Sequence, residues 1–268
     1  MNENAYGESP QGQSFGIAGN SVDPNNDMAT SRLHNRFVRD YPTDLMREEY
    51  LANVSHEFKK PLSYIRGCAS AIKAGNCSAD ELVEYIDSIL QSVEELAHLV
   101  ESMLEISTLD GSSTPLEQTT FSLDELLRHV VAKHLTDFEE KGLSYAVDLD
   151  RIEITGHQAM LGNAWSNIVS NAIKYTPAPG IVRITAKRTG DWAVVSIADT
   201  GCGMTQEQAA RAFERFYRAP PNAIEIEGHG LGLAIAKAVI EKHGGSVELK
   251  TELGEGSAVI TRLPITKA

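Results

Sequence analysis

The 268-residue sequence has no run of about 18 apolar residues, the length that a bilayer-spanning helix requires. It also has no basic-then-apolar segment near residue 1, so we expect a cytoplasmic segment without membrane contact of its own, whether or not the parent protein is anchored in a membrane. Its three cysteines, Cys68, Cys77 and Cys202, are too scattered for a disulfide framework or a zinc site. The sequence also has no excess of positive charge. The net charge of −13 argues against a nucleic-acid or anionic-membrane surface.

The length and the hydrophobic content of 42% are sufficient for two globular domains. Shifts in composition divide the chain into four segments. A tail rich in Gly, Asn, Ser and Asp comes first, as a flexible segment or the remnant of a linker. A helical segment, a short Pro/Ser/Thr linker and a mixed segment follow. The predicted bounds are 1–43, 44–111, 112–119 and 120–268.

Apolar residues at alternating three- and four-residue steps predict two helices of about 30 residues. The steps break at Gly75-Asn76, and a capping box from Ser78 to Glu81 begins the second helix. The two helices form an antiparallel hairpin. One hairpin cannot bury both apolar stripes, so we expect a homodimer with a four-helix bundle. The alternative is that both stripes pack on the rest of the same chain.

Residues 120–268 alternate between helical and strand patterns. A second capping box, Ser122-Leu123-Asp124-Glu125, predicts a helix to about Glu140. Further helices are expected at about 157–175 and 230–243, and strands at 143–149, 151–155, 181–188, 192–199, 246–250 and 257–263. Helices with a largely antiparallel sheet indicate an α + β class and an α/β-sandwich domain.

One histidine on the first helix is placed to react. His56 lies about 200° around the helix from Val54 and Phe58 of the apolar stripe, so it points away from the core. Glu57 beside it can hold one ring proton and leave the other nitrogen free to attack. Pro61, four residues before Ile65 of the stripe, predicts a bend in the helix.

Residues suited to a nucleotide lie in the second domain. Asn167, Asn171 and Lys174 fall on one helix face, where amide oxygens suit Mg²⁺ and a lysine suits phosphate. Asp199 ends a strand and is placed to accept a hydrogen bond from an adenine amine. The glycine-rich segment 228–232 leads into a helix, whose first N–H groups favour phosphate. No Gly-Lys-Ser/Thr follows it, so it is not a Walker loop.

These motifs together resemble a known family. The segment SHEFKKPL, 55–62, resembles the phosphoacceptor box of two-component sensor histidine kinases. The later motifs resemble the N, glycine and F boxes of their GHKL-type ATP-binding domain, in the family's order. The resemblance runs from about Arg47 to Leu263. It implies ATP and Mg²⁺ as cofactors, autophosphorylation of His56 with help from Glu57, and transfer to an aspartate of a response-regulator receiver domain.

The resemblance also implies roles by position. Asn171 would bind Mg²⁺, Asn167 and Lys174 would contact phosphates, Tyr175 would lie near the base or ribose, and Asp199 would recognise adenine. Residues 201–230 would form a mobile lid. The other expected nucleotide-contacting residues are Gly201, Gly203, Phe216, Arg218, Gly228, Gly230, Leu231 and Gly232. His229 stands where the family often has Thr, and is given no role beyond proximity to phosphate.

Two departures and two alternatives complete the sequence reasoning. Lys60 stands where the family commonly has a Thr or Asn that positions water, so we expect an enzyme that is biased towards the kinase reaction or that dephosphorylates its partner by a different arrangement. Asn167 stands where related ATPases of the gyrase and chaperone type place a catalytic Glu, which disfavours a GHKL-type ATPase. A catalytically silent dimeric scaffold that docks a response regulator is the other alternative.

Overall fold

A computed structural model describes residues 44–75, 77–111, 118–219 and 228–265. All of them fall within one unit of the chain, Asp40–Ala268. The predicted tail 1–43, residues 112–117 of the predicted linker and residues 220–227 of the predicted lid lie outside the described residues. The predicted domain bounds therefore stay predictions. None of the described helices combines the length and apolar character that crossing a membrane requires.

The first two helices form the predicted hairpin. Helix α1 is Asp44–Ala74 and helix α2 is Ala79–Gly111. The capping box at the turn is confirmed: the Ser78 N–H donates to Glu81 Oε2 over 2.7 Å, and the Glu81 N–H donates to Ser78 Oγ over 3.3 Å. Pro61 lies inside α1, where its side chain is buried, and α1 continues through it as one helix.

Helix α2 carries two apolar faces where the sequence predicted one stripe. One face is buried at seven-residue intervals, at Ser92, Leu99 and Ile106. The other is exposed in the single chain and has the alternating spacing of a bundle seam. Its large apolar members are Ile86, Leu90, Val93, Val100 and Leu104. The predicted stripe follows the exposed face, with Ile86, Val93 and Val100, and it contains none of the three buried residues.

The remaining elements build a sheet-and-helix domain. In chain order they are β1 (Thr119–Ser122), α3 (Leu123–Lys133), α4 (Leu135–Glu140), β2 (Leu143–Leu149), β3 (Glu153–Gly156), α5 (Gln158–Tyr175), β4 (Gly180–Thr189), β5 (Trp192–Asp199), α6 (Gln206–Arg211), α7 (Gly232–Lys242), β6 (Ser246–Glu252) and β7 (Gly256–Pro264). Among the described residues, one sheet has the order β2-β4-β5-β7-β6. Only β2 and β4 pair in parallel in it, so the largely antiparallel α/β sandwich is confirmed.

Helices α5 and α7 contribute the core that faces this sheet. Trp165 of α5 is fully buried, and its indole N–H donates to the Thr261 hydroxyl of β7 over 3.1 Å. Ile168 of α5 and Ile235 and Val239 of α7 are buried in the same cluster. A buried indole needs a hydrogen-bond partner, so this bond fixes the angle at which α5 crosses the sheet.

Strand β1 begins at Thr119 and pairs with β3. Two sequence expectations for this region were wrong. The capping box at Ser122 does not form, because the Ser122 hydroxyl donates to the Asp124 carboxylate and leaves α3 without a side-chain cap. The helix expected to run to Glu140 breaks at His134, whose ring bridges the carboxylate of Asp137 and the hydroxyl of Ser166.

The hairpin packs directly on the domain through α7. The Lys242 ammonium donates to the carbonyl oxygens of Thr108 and Leu109, each over 3.1 Å. These carbonyls lie in the last turn of α2, where the helix has no partners of its own for them and where positive charge is favourable. Leu99 and Ile106 belong to the same buried cluster as the domain core. The end of α2 is thereby held on the nucleotide domain.

Candidate active site

The glycine-rich segment 228–232 lies against the polar face of α5. A Cβ added to Gly232 would lie 3.5 Å from Asn167 Cβ and 3.7 Å from Asn171 Nδ2. A Cβ added to Gly228 would lie 3.7 Å from Lys174 Nζ. The fold therefore brings together the amide and ammonium groups that the sequence placed on one helix face and the glycines predicted to bind phosphate.

The first turn of α7 presents N–H groups to this space. Its N-cap residue, Leu231, makes no side-chain capping hydrogen bond, so the first N–H groups of α7 are not capped by a neighbouring side chain. Uncapped N–H groups and the positive end of the helix dipole favour an anion. With Lys174 beside the segment, the arrangement suits the phosphates of a nucleotide.

The predicted F box, residues 213–218, contacts the glycine segment through a backbone hydrogen bond. The Phe216 N–H donates to the Gly230 carbonyl over 2.9 Å. Phe216 has φ = 62°, which for a bulky residue costs about 1–3 kcal/mol. The Arg211 guanidinium lies 4.3 Å from the centre of the Tyr217 ring, a cation–π contact that joins this segment to α6. A strained residue held by such contacts fixes the backbone beside the predicted phosphate site.

Asp199 lies at the end of β5 as predicted. Its Oδ1 accepts hydrogen bonds from the N–H groups of Gly201, over 2.8 Å, and Ser257, over 3.2 Å. Both bonds use Oδ1, so neither of them engages Oδ2. Burial raises the pKa of this carboxyl, and the two backbone hydrogen bonds oppose the rise. An oriented, half-buried carboxylate of this kind suits recognition of an amine at the adenine edge.

Gly201 makes the tightest link between Asp199 and the end of α5. A Cβ at this position would lie 2.5 Å from the Tyr175 carbonyl oxygen and 2.6 Å from Asp199 Oδ1. The same carbonyl accepts the Cys202 N–H over 3.2 Å. At Gly203, where φ is 61°, a Cβ would lie 1.8 Å from the Glu252 carbonyl oxygen. Only glycine fits these two positions.

Tyr175 is the last residue of α5 and is half-buried. Burial raises the pKa of the Tyr175 hydroxyl, the positive charge of Arg218 lowers it, and Cys202 raises it. The structure thus groups Asn167, Asn171, Lys174 and Tyr175 on one helix and arranges the glycines and Asp199 around it.

The sequence reasoning missed Lys141. Its ammonium donates to the carbonyl oxygens of Ile173 and Lys174, each over 2.6 Å, and so caps the end of α5. Burial lowers the pKa of this ammonium. The cap holds the turn that carries Lys174 and Tyr175. Nothing local in the sequence could have found it, because its partners lie 32 and 33 residues further along the chain.

The phosphoacceptor candidate is exposed, as predicted. The His56 side chain is 66% exposed, whereas the Glu57 side chain is 12% exposed. Glu57 Oε1 lies 3.6 Å from His56 Nδ1 and 3.5 Å from Lys60 Nζ. The other oxygen, Oε2, lies 2.9 Å from His229 Nδ1. An ionised carboxylate only accepts, so the His229 N–H donates.

Opposing effects act on the pKa of the Glu57 carboxyl. Burial raises the pKa of Glu57. The hydrogen bond from His229, the charge of Lys60 and the neighbouring His56 together outweigh burial and hold the pKa below its ordinary value. Glu57 is therefore ionised at neutral pH and able to accept a proton from an imidazole.

The protein would supply only some of the ligands of a magnesium ion. In the part of the chain that the structure describes, no three His, Cys, Asp or Glu side chains lie together as a metal site. Mg²⁺ commonly takes one or two protein oxygens and completes its shell with nucleotide phosphates and water. Asn171, which faces the glycine segment, fits such a site.

Two known protein families match the two parts of the chain. Residues 46–112 match the family described as His Kinase A (phospho-acceptor) domain. Residues 156–267 match the family described as histidine kinase-, DNA gyrase B-, and HSP90-like ATPase. The fold and the site therefore define the phosphoacceptor and ATP-binding parts of a histidine kinase. The chain belongs to the two-component sensor histidine kinases.

Individual relatives agree. The heme sensor protein HssS of Staphylococcus saprophyticus subsp. saprophyticus is 33% identical over 215 residues, 80% of this chain and 46% of HssS. The sensor-like histidine kinase SenX3 of Mycobacterium bovis is 30% identical over 220 residues, 81% of this chain and 54% of SenX3. Full-length ShkA in complex with AMPPNP is 28% identical with a TM-score of 0.61, over 82% of this chain and 46% of ShkA. The chain spans about half the length of the curated relatives it matches.

Gly201→Ala tests the assembly of the nucleotide site. The new Cβ must displace the Tyr175 carbonyl or the Asp199 carboxylate, so we expect the dissociation constant for ATP to rise by roughly tenfold or more. Gly67→Ala is the matched control, because no atom lies within 4 Å of its added Cβ. Calorimetric titration with ATP, beside thermal melts of both variants, measures the effect. Unchanged ATP affinity in Gly201→Ala would contradict the assignment.

Proposed function

We propose that this chain transfers the γ-phosphoryl group of ATP to His56 and passes it on to an aspartate of a response-regulator receiver domain. Membership of the histidine kinase family supports a kinase in general. The observation that carries the proposal to His56 is the contact between Glu57, next to His56, and His229 of the glycine segment. ATP is a cytoplasmic substrate, so we place the reaction in the cytoplasm.

Geometry supports His56 as the acceptor. His229 lies within the glycine segment 228–232 and contacts the carboxylate of Glu57, next to His56. The proposed phosphate site and the proposed acceptor are therefore linked through the side chains of His229 and Glu57. Glu57 faces Nδ1 of His56, which leaves Nε2 for the attack on phosphorus. The N–P bond forms as the bond from phosphorus to the leaving oxygen of ADP breaks. The Nδ1 proton passes to Glu57 and then to water.

The nucleotide is held by groups already described. Asp199 would select adenine through Oδ2, and Lys174 and the first N–H groups of α7 would bind the phosphates. Mg²⁺ on Asn171 would neutralise the charge of the phosphates. Positioning and charge neutralisation supply most of the catalysis in phosphoryl transfer, so the site needs little covalent chemistry from the protein.

Transfer takes place within one chain in this proposal. Glu57 and His229 belong to the same chain, and Lys242 holds the last turn of α2 to the nucleotide domain of that chain. Both contacts support a route from the ATP site to the His56 of the same subunit.

Neither alternative function, a GHKL-type ATPase or a catalytically silent scaffold, is supported by an observation of its own. Asn167 lacks the carboxylate that a GHKL-type ATPase uses to activate water. A silent scaffold would not need an oriented Asp199, a capped α5 and an ionised Glu57 in one arrangement. We therefore propose an active kinase, with weak or no phosphatase activity because Lys60 replaces the water-positioning residue.

The exposed face of α2 supports a homodimer. Five large apolar side chains at bundle spacing lie open on one helix, which would cost stability in a monomer. Val93, 49% exposed, lies at the middle of this face. A second copy would cover the face with its own and complete a four-helix bundle.

Val93→Lys tests the dimer. A charge inside the bundle seam should weaken association by roughly tenfold or more, because each copy loses the burial of a Val. Gln91→Lys adds the same charge at an exposed polar position of the same helix and should leave association unchanged. Sedimentation equilibrium measures both. Equal association of the two variants would contradict this interface.

His56→Gln tests the acceptor. With γ-labelled ATP and Mg²⁺, the unmodified protein should take up acid-labile, alkali-stable label, as phosphohistidine does, and His56→Gln should take up none. His98→Gln is the matched control, because His98 is also an exposed histidine of the hairpin with a glutamate, Glu101, 3.8 Å away. EDTA should abolish labelling. Label that persists in His56→Gln would identify another acceptor.

A further inference from the structure

We propose that His229 is a positioning residue for phosphoryl transfer, which holds the Glu57 carboxylate against His56 by donating a hydrogen bond from Nδ1. This inference rests on the proposed function and deepens it. It assigns a specific role to the residue that replaces the family's usual Thr in the glycine segment. It also provides a physical link between ATP binding and the reactivity of the acceptor.

The geometry divides the two oxygens of Glu57 between two partners. Oε2 is taken by His229 over 2.9 Å, a normal hydrogen-bond length, while Oε1 faces His56 Nδ1 at 3.6 Å. The Glu57 side chain is 12% exposed and the His229 side chain 22% exposed, so water competes poorly for this bond. With Oε2 fixed, the carboxylate cannot rotate away, and Oε1 stays directed at the imidazole.

Few ionisable groups act on Glu57 among the described residues. From α1 they are His56 and Lys60, and from the glycine segment His229. Lys60 is 52% exposed and lies 3.5 Å from Oε1, so it is a long and water-screened partner. His229 makes the shorter and more buried contact. Of these groups, it has the strongest hold on the orientation of the carboxylate.

The contact also depends on the state of the nucleotide site. His229 lies between Gly228, beside Lys174 Nζ, and Gly230, whose carbonyl accepts the Phe216 N–H. A shift of this segment when ATP binds would move the imidazole and, with it, the Glu57 carboxylate. The proton of His56 Nδ1 would then find its acceptor in place only when the segment is in position. Substrate binding and acceptor activation would be coupled through one side chain.

Three variants of His229 separate this role from a structural one. His229→Asn places an amide N–H where Nδ1 is, whereas His229→Gln places it where Nε2 is, out of reach of Glu57. We expect His229→Gln and His229→Ala to slow labelling of His56 by roughly 10- to 100-fold, with the dissociation constant for ATP unchanged within about twofold. His229→Asn should recover most of the rate.

The pH profile and a double variant test the route through Glu57. Loss of the His229 hydrogen bond removes an effect that lowers the pKa of Glu57, so the acid limb of the labelling rate should move to higher pH in His229→Ala and not in His229→Asn. In Glu57→Gln, the further change His229→Ala should cost little. A full additional loss, or equal rates for the Asn, Gln and Ala variants, would overturn the proposal, as would faster labelling in His229→Ala.

A readout without activity separates this inference from the proposed function. The pKa of Glu57, measured from the carboxyl ¹³C shift by NMR, should be higher in His229→Ala than in the unmodified protein and close to normal for this protein in His229→Asn. An unchanged pKa would overturn the contact even if His56 is labelled. Absence of label from the unmodified protein, with the pKa difference present, would overturn the proposed function and leave the contact standing.

Discussion

The carboxylate of Glu57 lies between the phosphoacceptor helix and the glycine-rich segment, and the arrangement of the active site depends on it. A buried carboxylate is costly unless it is paired, and here His229 pairs it from one side while His56 and Lys60 face it from the other. Its hydrogen bond with His229 holds the segment that we propose binds phosphate close to the histidine that we propose receives it. Helix α1 and the nucleotide domain are thereby joined at the point where chemistry would occur.

Other contacts hold the helices around the active site in position. Lys242 caps the last turn of α2, Lys141 caps the end of α5, and the Trp165 hydrogen bond to Thr261 fixes α5 on the sheet. Each is a cation or an N–H that donates to a carbonyl or hydroxyl oxygen of another element. Together they make a frame in which the asparagine face of α5 and the first turn of α7 meet.

Local signals in the sequence predicted most of the elements, and the comparisons confirmed the fold class and the family. The Ser78 capping box and the adjacent strands expected at 181–188 and 192–199 depend on neighbours in sequence, and both were predicted correctly. The Ser122 capping box failed because Asp124, two residues away, competes for the hydroxyl. The pairing of His229 with Glu57 was out of reach, because the two lie 172 residues apart and become neighbours only when the domains pack.

Mixed dimers test most directly the central claim, that each chain phosphorylates its own His56. His56→Gln keeps the ATP site without the proposed acceptor, and Asn171→Ala keeps that acceptor without the proposed magnesium ligand. Chains of different length let the two subunits be separated after co-refolding and incubation with γ-labelled ATP. The account predicts no label on either subunit of the mixed dimer, although dimers of unmodified chains are labelled. Label on the His56 of the Asn171→Ala subunit would show transfer between chains and contradict it.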